Sequence, residues 1–219
     1  MGAVSISNSS NLIEFDINGS NFTGKVNIDF GGLPGLLWLV LASNPLGRGE
    51  VDDLDFLNSL TKCRKLQILD LSYDQTFFPN NILEPSSEST KRSQRNLGYL
   101  DVTKLKNLGY LDVSENHFSG EIPSGLGSCV SLEHLYIEGK LFERSNPNSF
   151  KSLRGLQNLD LSRNKLSGQL PEYLQQFSLM TLNLSFNKFE GAVPTTGVFR
   201  NATALSIVEN KKLCGGIRN

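Results

Sequence analysis

Residues 156–171 read Leu156-Gln-Asn-Leu159-Asp-Leu161-Ser-Arg-Asn164-Lys-Leu166-Ser-Gly168-Gln-Leu170-Pro171. Leu159 and Leu161 stand two apart, so their side chains leave a short strand on one face while the intervening residues leave on the other. Asn164 follows with both a carbonyl and an amide, which lets it satisfy backbone groups of a turn buried between neighbouring segments. Gly168 permits a tight bend, and Pro171 starts an extended segment while removing one backbone donor.

The pattern recurs. It runs from Leu108 through Leu111, Val113, Asn116, Phe118, Gly120, Ile122 and Pro123, and again from Leu179 through Leu182, Leu184, Asn187, Phe189, Gly191, Val193 and Pro194. A less regular copy passes through Leu132, Leu135, Ile137, Lys140 and Phe142. From 116 to 140 to 164 to 187 the steps are 24, 24 and 23 residues, inside the 20–29 range of leucine-rich repeats. Weaker copies lie upstream, at Leu12, Phe15 and Ile17, at Leu36, Leu39, Leu41 and Asn44, and at Leu66, Leu69 and Leu71 with Asp74 at the Asn place. The fold class expected is an α/β repeat solenoid: a leucine-rich-repeat horseshoe with a parallel concave β-sheet and an irregular or 3-10 convex side, interrupted around residues 75–104. Each coil contacts only its neighbours and none is stable alone.

Two departures break the register. The step from 44 to 74 is 30 residues, stretched by an acidic insert at 50–56 that is expected to carry a short outer helix with Leu54, Phe56, Leu57 and Leu60 turned inward. Between Asp74 and Leu105 the pattern fails in a polar stretch expected to be a loop. The heptapeptide Asn-Leu-Gly-Tyr-Leu-Asp-Val then occurs at 96–102 and again at 107–113, only half a coil apart. The expected organisation is an N-terminal block of about three uncapped coils at 1–74, an irregular loop and degenerate half-coil at 75–104, four regular coils at 105–194 and an incomplete cap at 195–219. In the coil from Leu132, Lys140 stands in place of Asn and Arg144 in place of Gly. Lysine has donors but no acceptor, so that coil is expected to be locally weakened.

Hydrophobic residues make up 38% and charged residues 20% of 219 residues, with a net charge of −1. That is enough apolar material for a core, and no net field draws in nucleic acid or an anionic membrane. The first residues carry no basic and apolar run of a secretory signal, and no stretch has the ~20 apolar residues of a membrane span. Cys63, Cys129 and Cys214 form no CxxC or Cys/His cluster, so neither a metal nor a cofactor site is expected. The odd count points to at least one unpaired thiol. His117 and His134 lie in different coils without a triad partner and are expected to be exposed. No P-loop, GxGxxG or kinase signature is present, so the chain is expected not to be an enzyme.

The Leu-x-Gly-x-Ile-Pro form of the repeat resembles the plant-specific leucine-rich-repeat class. The run from Val193 to Gly216 is similar to the closing coil and cap of plant receptor-like serine/threonine kinases, nearest to immune receptor kinases of the elongation-factor-Tu receptor type; the block Asp53 to Ser72 resembles the middle of the same ectodomains. The resemblance implies a glycosylated ectodomain at the extracellular face of the plasma membrane that binds a peptide or protein ligand and a co-receptor, with a kinase beyond the membrane. The sequence departs from that plan: it has no signal peptide, N-terminal cysteine cap, membrane helix or kinase, and it stops before the second cysteine of the cap. This segment itself is not expected to insert into a membrane. A stand-alone inhibitor or decoy of a secreted enzyme, and a truncated product without a role of its own, remain open as alternatives.

Candidate ligand-binding residues are those flanking the inward pairs: Tyr110, Asp112, Ser114 and Glu115; His134, Tyr136 and Glu138; Asn158, Asp160, Ser162 and Arg163; Thr181, Asn183, Ser185 and Phe186. Tyr110 and Tyr136 occupy equivalent or neighbouring lanes and suit an aromatic anchor. The bland reading is that most are solvated strand positions, and the recurrence of Asp70, Asp112 and Asp160 with the coil favours a structural role over acid/base chemistry. Trp38 is either an anchor or a raw edge. Asn-X-Ser/Thr sequons at Asn8, Asn18, Asn21, Asn183 and Asn201 would be glycosylated on secretion.

Overall fold

The computed structural model describes residues 6, 9–47, 52–73, 97, 100–116, 118–139 and 142–215. Among them the repeat is realised as an eight-stranded, all-parallel sheet of β1 (Glu14–Asp16), β2 (Trp38–Val40), β3 (Ile68–Asp70), β4 (Tyr110–Asp112), β5 (His134–Tyr136), β7 (Asn158–Asp160), β9 (Thr181–Asn183) and β11 (Leu205–Ser206), in that spatial order. The register is strict: Leu39, Leu69, Leu111, Leu135, Leu159, Leu182 and Leu205 lie side by side, one per coil. These leucines are buried except for the half-buried Leu205 in the last coil. Strands of two or three residues are too short to be stable singly, so the sheet exists because each coil lends its neighbour a hydrogen-bonded edge and a share of one aliphatic column.

A second parallel sheet follows one turn further along each coil. It comprises β6 (Glu143–Arg144), β8 (Lys165–Gln169), β10 (Lys188–Ala192) and β12 (Lys212–Cys214). This second sheet adds to the expected architecture of a concave parallel sheet and 3-10 turns. The 3-10 turns are also present, and Pro123, Pro147 and Pro171, each extended at φ near −60°, immediately precede those at Ser124–Ser128, Asn148–Ser152 and Glu172–Gln176.

The Asn ladder is the most regular polar feature. Asn164 Nδ2 donates to the carbonyls of Ile137 in the preceding coil and of Leu161 and Ser162 in its own, while its Oδ1 accepts from the Phe142 amide. Asn44, Asn187 and Asn210 repeat this set with the equivalent partners. Four backbone groups that the coil buries are thus satisfied by one side chain, which leucine could not do. The residue before each Asn takes a left-handed backbone, from Ser43 (φ 56°) and Glu115 (φ 51°) to Arg163 (φ 53°) and Phe186 (φ 55°).

The acidic insert carries α1 (Phe56–Leu60), and Leu54, Phe56, Leu57 and Leu60 are all buried, as its pattern implies. The sheet runs without interruption across the irregular segment, because Ile68, Leu69 and Asp70 pair directly with Tyr110, Leu111 and Asp112. The expected loop at 75–95, Asp74, Lys140 and His117 lie outside the described residues. The two copies of the heptapeptide take different structures. In the second, residues 110–112 form β4; in the first, Leu97, Leu100 and Val102 sink into the core and Asp101 caps a 3-10 turn at Val102–Lys104. The region expected to be a cap builds one more coil, with β11, Asn210 on the ladder and β12.

Cys63 and Cys129 occupy the core place that Leu33, Leu105 and Leu153 fill in other coils, three residues before the first leucine. Each Sγ donates to a backbone carbonyl, of Phe30 and Val102, both at 3.2 Å. Burial pushes both thiols up to about 11, so they serve as small apolar side chains, not nucleophiles. All three cysteines are free, Cys214 at the surface.

Candidate ligand-binding surface

The outward residues of the eight strands fall into lanes because the register is fixed. One lane reads Glu14, Trp38, Ile68, Tyr110, His134, Asn158, Thr181; the next reads Asp16, Val40, Asp70, Asp112, Tyr136, Asp160, Asn183, Ser206. The expected aromatic pair is real, and it lies across the two lanes: the rings of Tyr110 and Tyr136 are 5.6 Å apart. Tyr110 also packs on His134 at 5.9 Å. A polar chain continues along the first lane, with Asn158 Nδ2 2.8 Å from His134 Nδ1 and Thr181 Oγ1 donating to Asn158 Oδ1 at 2.7 Å. His134 is therefore half-buried and engaged, not the exposed residue expected.

Asp70, Asp112 and Asp160 each accept through Oδ1 from the amide two residues on, at Ser72, Ser114 and Ser162, and Asn183 does the same for Ser185. The recurring acid thus closes the strand with an Asx turn. Ser114, Ser162 and Ser185, read as outward candidates, are at most 7% exposed: Ser114 Oγ donates to Asp112 Oδ1, and Ser185 Oγ shares a hydrogen bond with Ser206 Oγ at 2.6 Å. The second oxygens still face outward, Asp112 Oδ2 taking the Tyr110 hydroxyl at 3.3 Å and Asp160 Oδ2 the Asn183 amide at 2.9 Å. Glu138 is paired with Arg163 at 2.9 Å, and the Arg163 guanidinium lies 5.4 Å over the ring of Phe186, itself exposed. Glu115 is half-buried at the turn before Asn116.

Charge is sharply sorted. The two lanes and the two turn positions after each strand hold eight carboxylates, Glu14, Asp16, Asp70, Asp112, Glu115, Glu138, Asp160 and Glu209, against one cation, Arg163. The whole chain has 21 Lys and Arg against 22 Asp and Glu, so the opposite sign sits elsewhere. The like charges are felt locally. Asp112 is held above the ordinary carboxylate range by burial and by Asp70, against the pull of the Ser114 hydrogen bonds. Glu138 is raised by burial and by Asp160 and Glu115, against Arg163. The hydroxyls of Tyr110 and Tyr136 are raised by burial and by the neighbouring carboxylates.

At the C-terminal end the lane side chains shrink to Thr181, Ala204 and Ser206, and they leave a hollow of about 320 Å³ walled by Tyr136, Asp160 and Asn183. Trp38 is 40% exposed, with β1 on one side of its strand and β3 on the other, so it is not an edge residue of this sheet. Asp70, Ile68 and Trp38 complete the lanes upstream; the Leu69-Asp70-Leu71 motif was the signal that places them. Of the sequons, Asn18, Asn21 and Asn201 are exposed, Asn183 is tied into the lane network and Asn8 lies outside the described residues. Among the described residues no three His, Cys, Asp or Glu are grouped to hold a metal ion, and no helix is long and apolar enough to cross a membrane.

The family model described as Leucine Rich Repeat matches residues 107–129 and 155–177. This is a leucine-rich-repeat solenoid. The LRR chain is 57% identical over 68 residues to a probable LRR receptor-like serine/threonine-protein kinase of Arabidopsis thaliana, a match covering 31% of this chain and 7% of that protein. It is 40% identical over 91 residues to the LRR receptor-like serine/threonine-protein kinase EFR of the same plant, covering 41% of this chain and 9% of that one. Among solved structures, the plant peptide hormone receptor RGFR1 in complex with RGF2 superposes with a TM-score of 0.64 at 25% identity, over 86% of this chain and 27% of that one. The LRR chain is homologous to plant LRR receptor-like kinases and spans less than a tenth of the length of the two curated relatives.

Proposed function

We propose that this LRR chain is a non-catalytic recognition module that binds a peptide or protein on its concave sheet, as part of the ligand-binding region of a receptor-like kinase in immune signalling. The observation that carries the reading is the lane network itself. Tyr110, His134, Tyr136, Asn158 and Arg163 come from three successive coils, and packing, hydrogen bonds or an ion pair hold each side chain in place. Rigid aromatic groups with polar tips bind at low entropic cost. The superposed structure is a plant peptide hormone receptor in complex with RGF2, and the similarity to EFR supports the immune subgroup that residues 193–216 resemble. The same reading places the chain at the extracellular face of the plasma membrane, with a co-receptor as a second partner and N-glycans on Asn18, Asn21 and Asn201.

The test is selection of binders from a random dodecapeptide display library on the whole chain. The selected peptides are then re-measured on a Tyr136→Ala, Asn158→Ala double variant. Loss of binding with an unchanged melting temperature is expected. Selected peptides that ignore these substitutions would refute the concave surface.

A further inference from the structure

Eight carboxylates on one face of a chain with nearly balanced charge demand a partner of opposite sign, and the described residues do not provide one. Arg163, the single cation there, is already committed to Glu138 and stacked on Phe186. Asp112 and Asp160 are bonded only to neutral donors: amides, hydroxyls and the Asn183 side chain. Such donors orient a carboxylate without cancelling its charge. The remaining ion pairs among the described residues, Lys25–Asp52, Arg144–Glu121 and Lys212–Glu190, all lie off this face.

Resting on the reading above, we infer that the segment docking on the concave sheet is a cationic peptide, one of whose Arg or Lys side chains lies over the Tyr110–Tyr136 pair between Asp112 and Asp160. The geometry suits that group. Asp112, Tyr136 and Asp160 are consecutive in one lane, so the two carboxylates flank the ring at a spacing of roughly 10 Å, two strand separations. A cation above a tyrosine face gains from the ring as well as from the carboxylates. The hollow beside Tyr136 and Asp160 accepts the aliphatic stem or the next side chain. A polyanion such as nucleic acid is repelled by the same charges, which leaves peptide or protein as the class of partner.

Two fluorescein-labelled dodecapeptides test this by anisotropy on the full chain: one alternating Arg with Ser, the other alternating Glu with Ser. The Arg peptide is expected to bind at least about tenfold more tightly at ~50 mM salt, with the advantage shrinking at ~500 mM. An Asp112→Asn, Asp160→Asn double variant is expected to lose about tenfold in affinity for the Arg peptide. Its melting temperature is not lowered, because asparagine already closes the same turn at Asn183. Glu121→Gln with Glu172→Gln, off the face, is the control expected to change nothing. Equal behaviour of the two peptides, including no binding by either, or a double variant as good as the parent, would overturn the inference. If library-selected peptides depend on Tyr136 yet carry no excess of Arg and Lys, the concave reading stands and the charge inference falls. If they ignore Tyr136, the surface reading itself falls.

Discussion

The coil that begins at Leu132 and the two coils after it share one backbone plan and differ in the side chains that support it. In the later coils Asp160 and Asn183 close the strand, Asn164 and Asn187 fill the ladder, Gly168 and Gly191 take the bend at φ 86°, and Leu170 and Val193 plug the core before proline. In the earlier coil Tyr136 stands where the closing acid should be, and Gly139 sits at φ 153° where its counterparts are left-handed near 55°. Arg144 is forced to φ 69° in the glycine place. Asn146 is 5% exposed at the aliphatic place, and neither of its side-chain polar atoms has a partner. Leu135 nevertheless sits in register between Leu111 and Leu159. A solenoid coil therefore inherits its path from its neighbours more than from its own residues. Irregularity is tolerated where both flanking coils are sound, and here the missing acid is replaced by the tyrosine at the centre of the lane network.

The comparison breaks if the ladder is decorative. Asn187→Ala, in a regular coil, strips the Leu161 carbonyl and the Leu166 amide of buried partners and is expected to cost about 3 kcal/mol in urea unfolding. In the irregular coil the sign reverses. Asn146→Val installs the residue type of Val193, removes two orphaned polar atoms and is expected to stabilise by about 1–3 kcal/mol. Arg144→Gly relieves the left-handed backbone for a gain of about 1 kcal/mol. The exposed Glu121 pair it gives up, with both side chains more than 60% accessible, contributes little. Losses at Asn146 or Arg144 would show that the coil has adapted to these residues.

The smallest effect sharpens the electrostatic side. Asp112 faces Asp70, Tyr110 and Tyr136, and its raised pKa means that the folded state disfavours its charge. That cost is present above the folded pKa and is gone below the unfolded value of about 3.9. Asp112→Asn is therefore expected to raise the melting temperature slightly at pH 7, with the difference from the parent vanishing as pH falls toward about 4 in a series of thermal melts.

Most of the scaffold was legible in the sequence because a strict period fixes which side chains share a face: the inward leucines, the ladder Asn and the insert helix all follow from spacing. The second sheet was not, because its strands carry no alternating signal beyond Leu166-Ser-Gly and Phe189-Glu-Gly. In the two identical heptapeptides Leu111 and Asp112 lie in a strand, whereas Leu100 and Asp101 do not and Asp101 caps the 3-10 turn that follows, which shows why local reading stops there: the neighbour on which a segment lands decides its structure. Lanes told which residues share the concave face. They did not tell that Ser114, Ser162 and Ser185 are buried, since that depends on the Asp or Asn two residues earlier reaching back to the backbone.

The central claim is that the lanes, and not the outer turns, receive the ligand. Its most direct test places a photo-crosslinking residue at position 136 or, in a second protein, at the exposed Glu172 of the outer 3-10 turn, and irradiates each with a library-selected peptide before mass spectrometry. Crosslinks from 136 and none from 172 are the result expected; capture at 172 with none at 136 would contradict the claim.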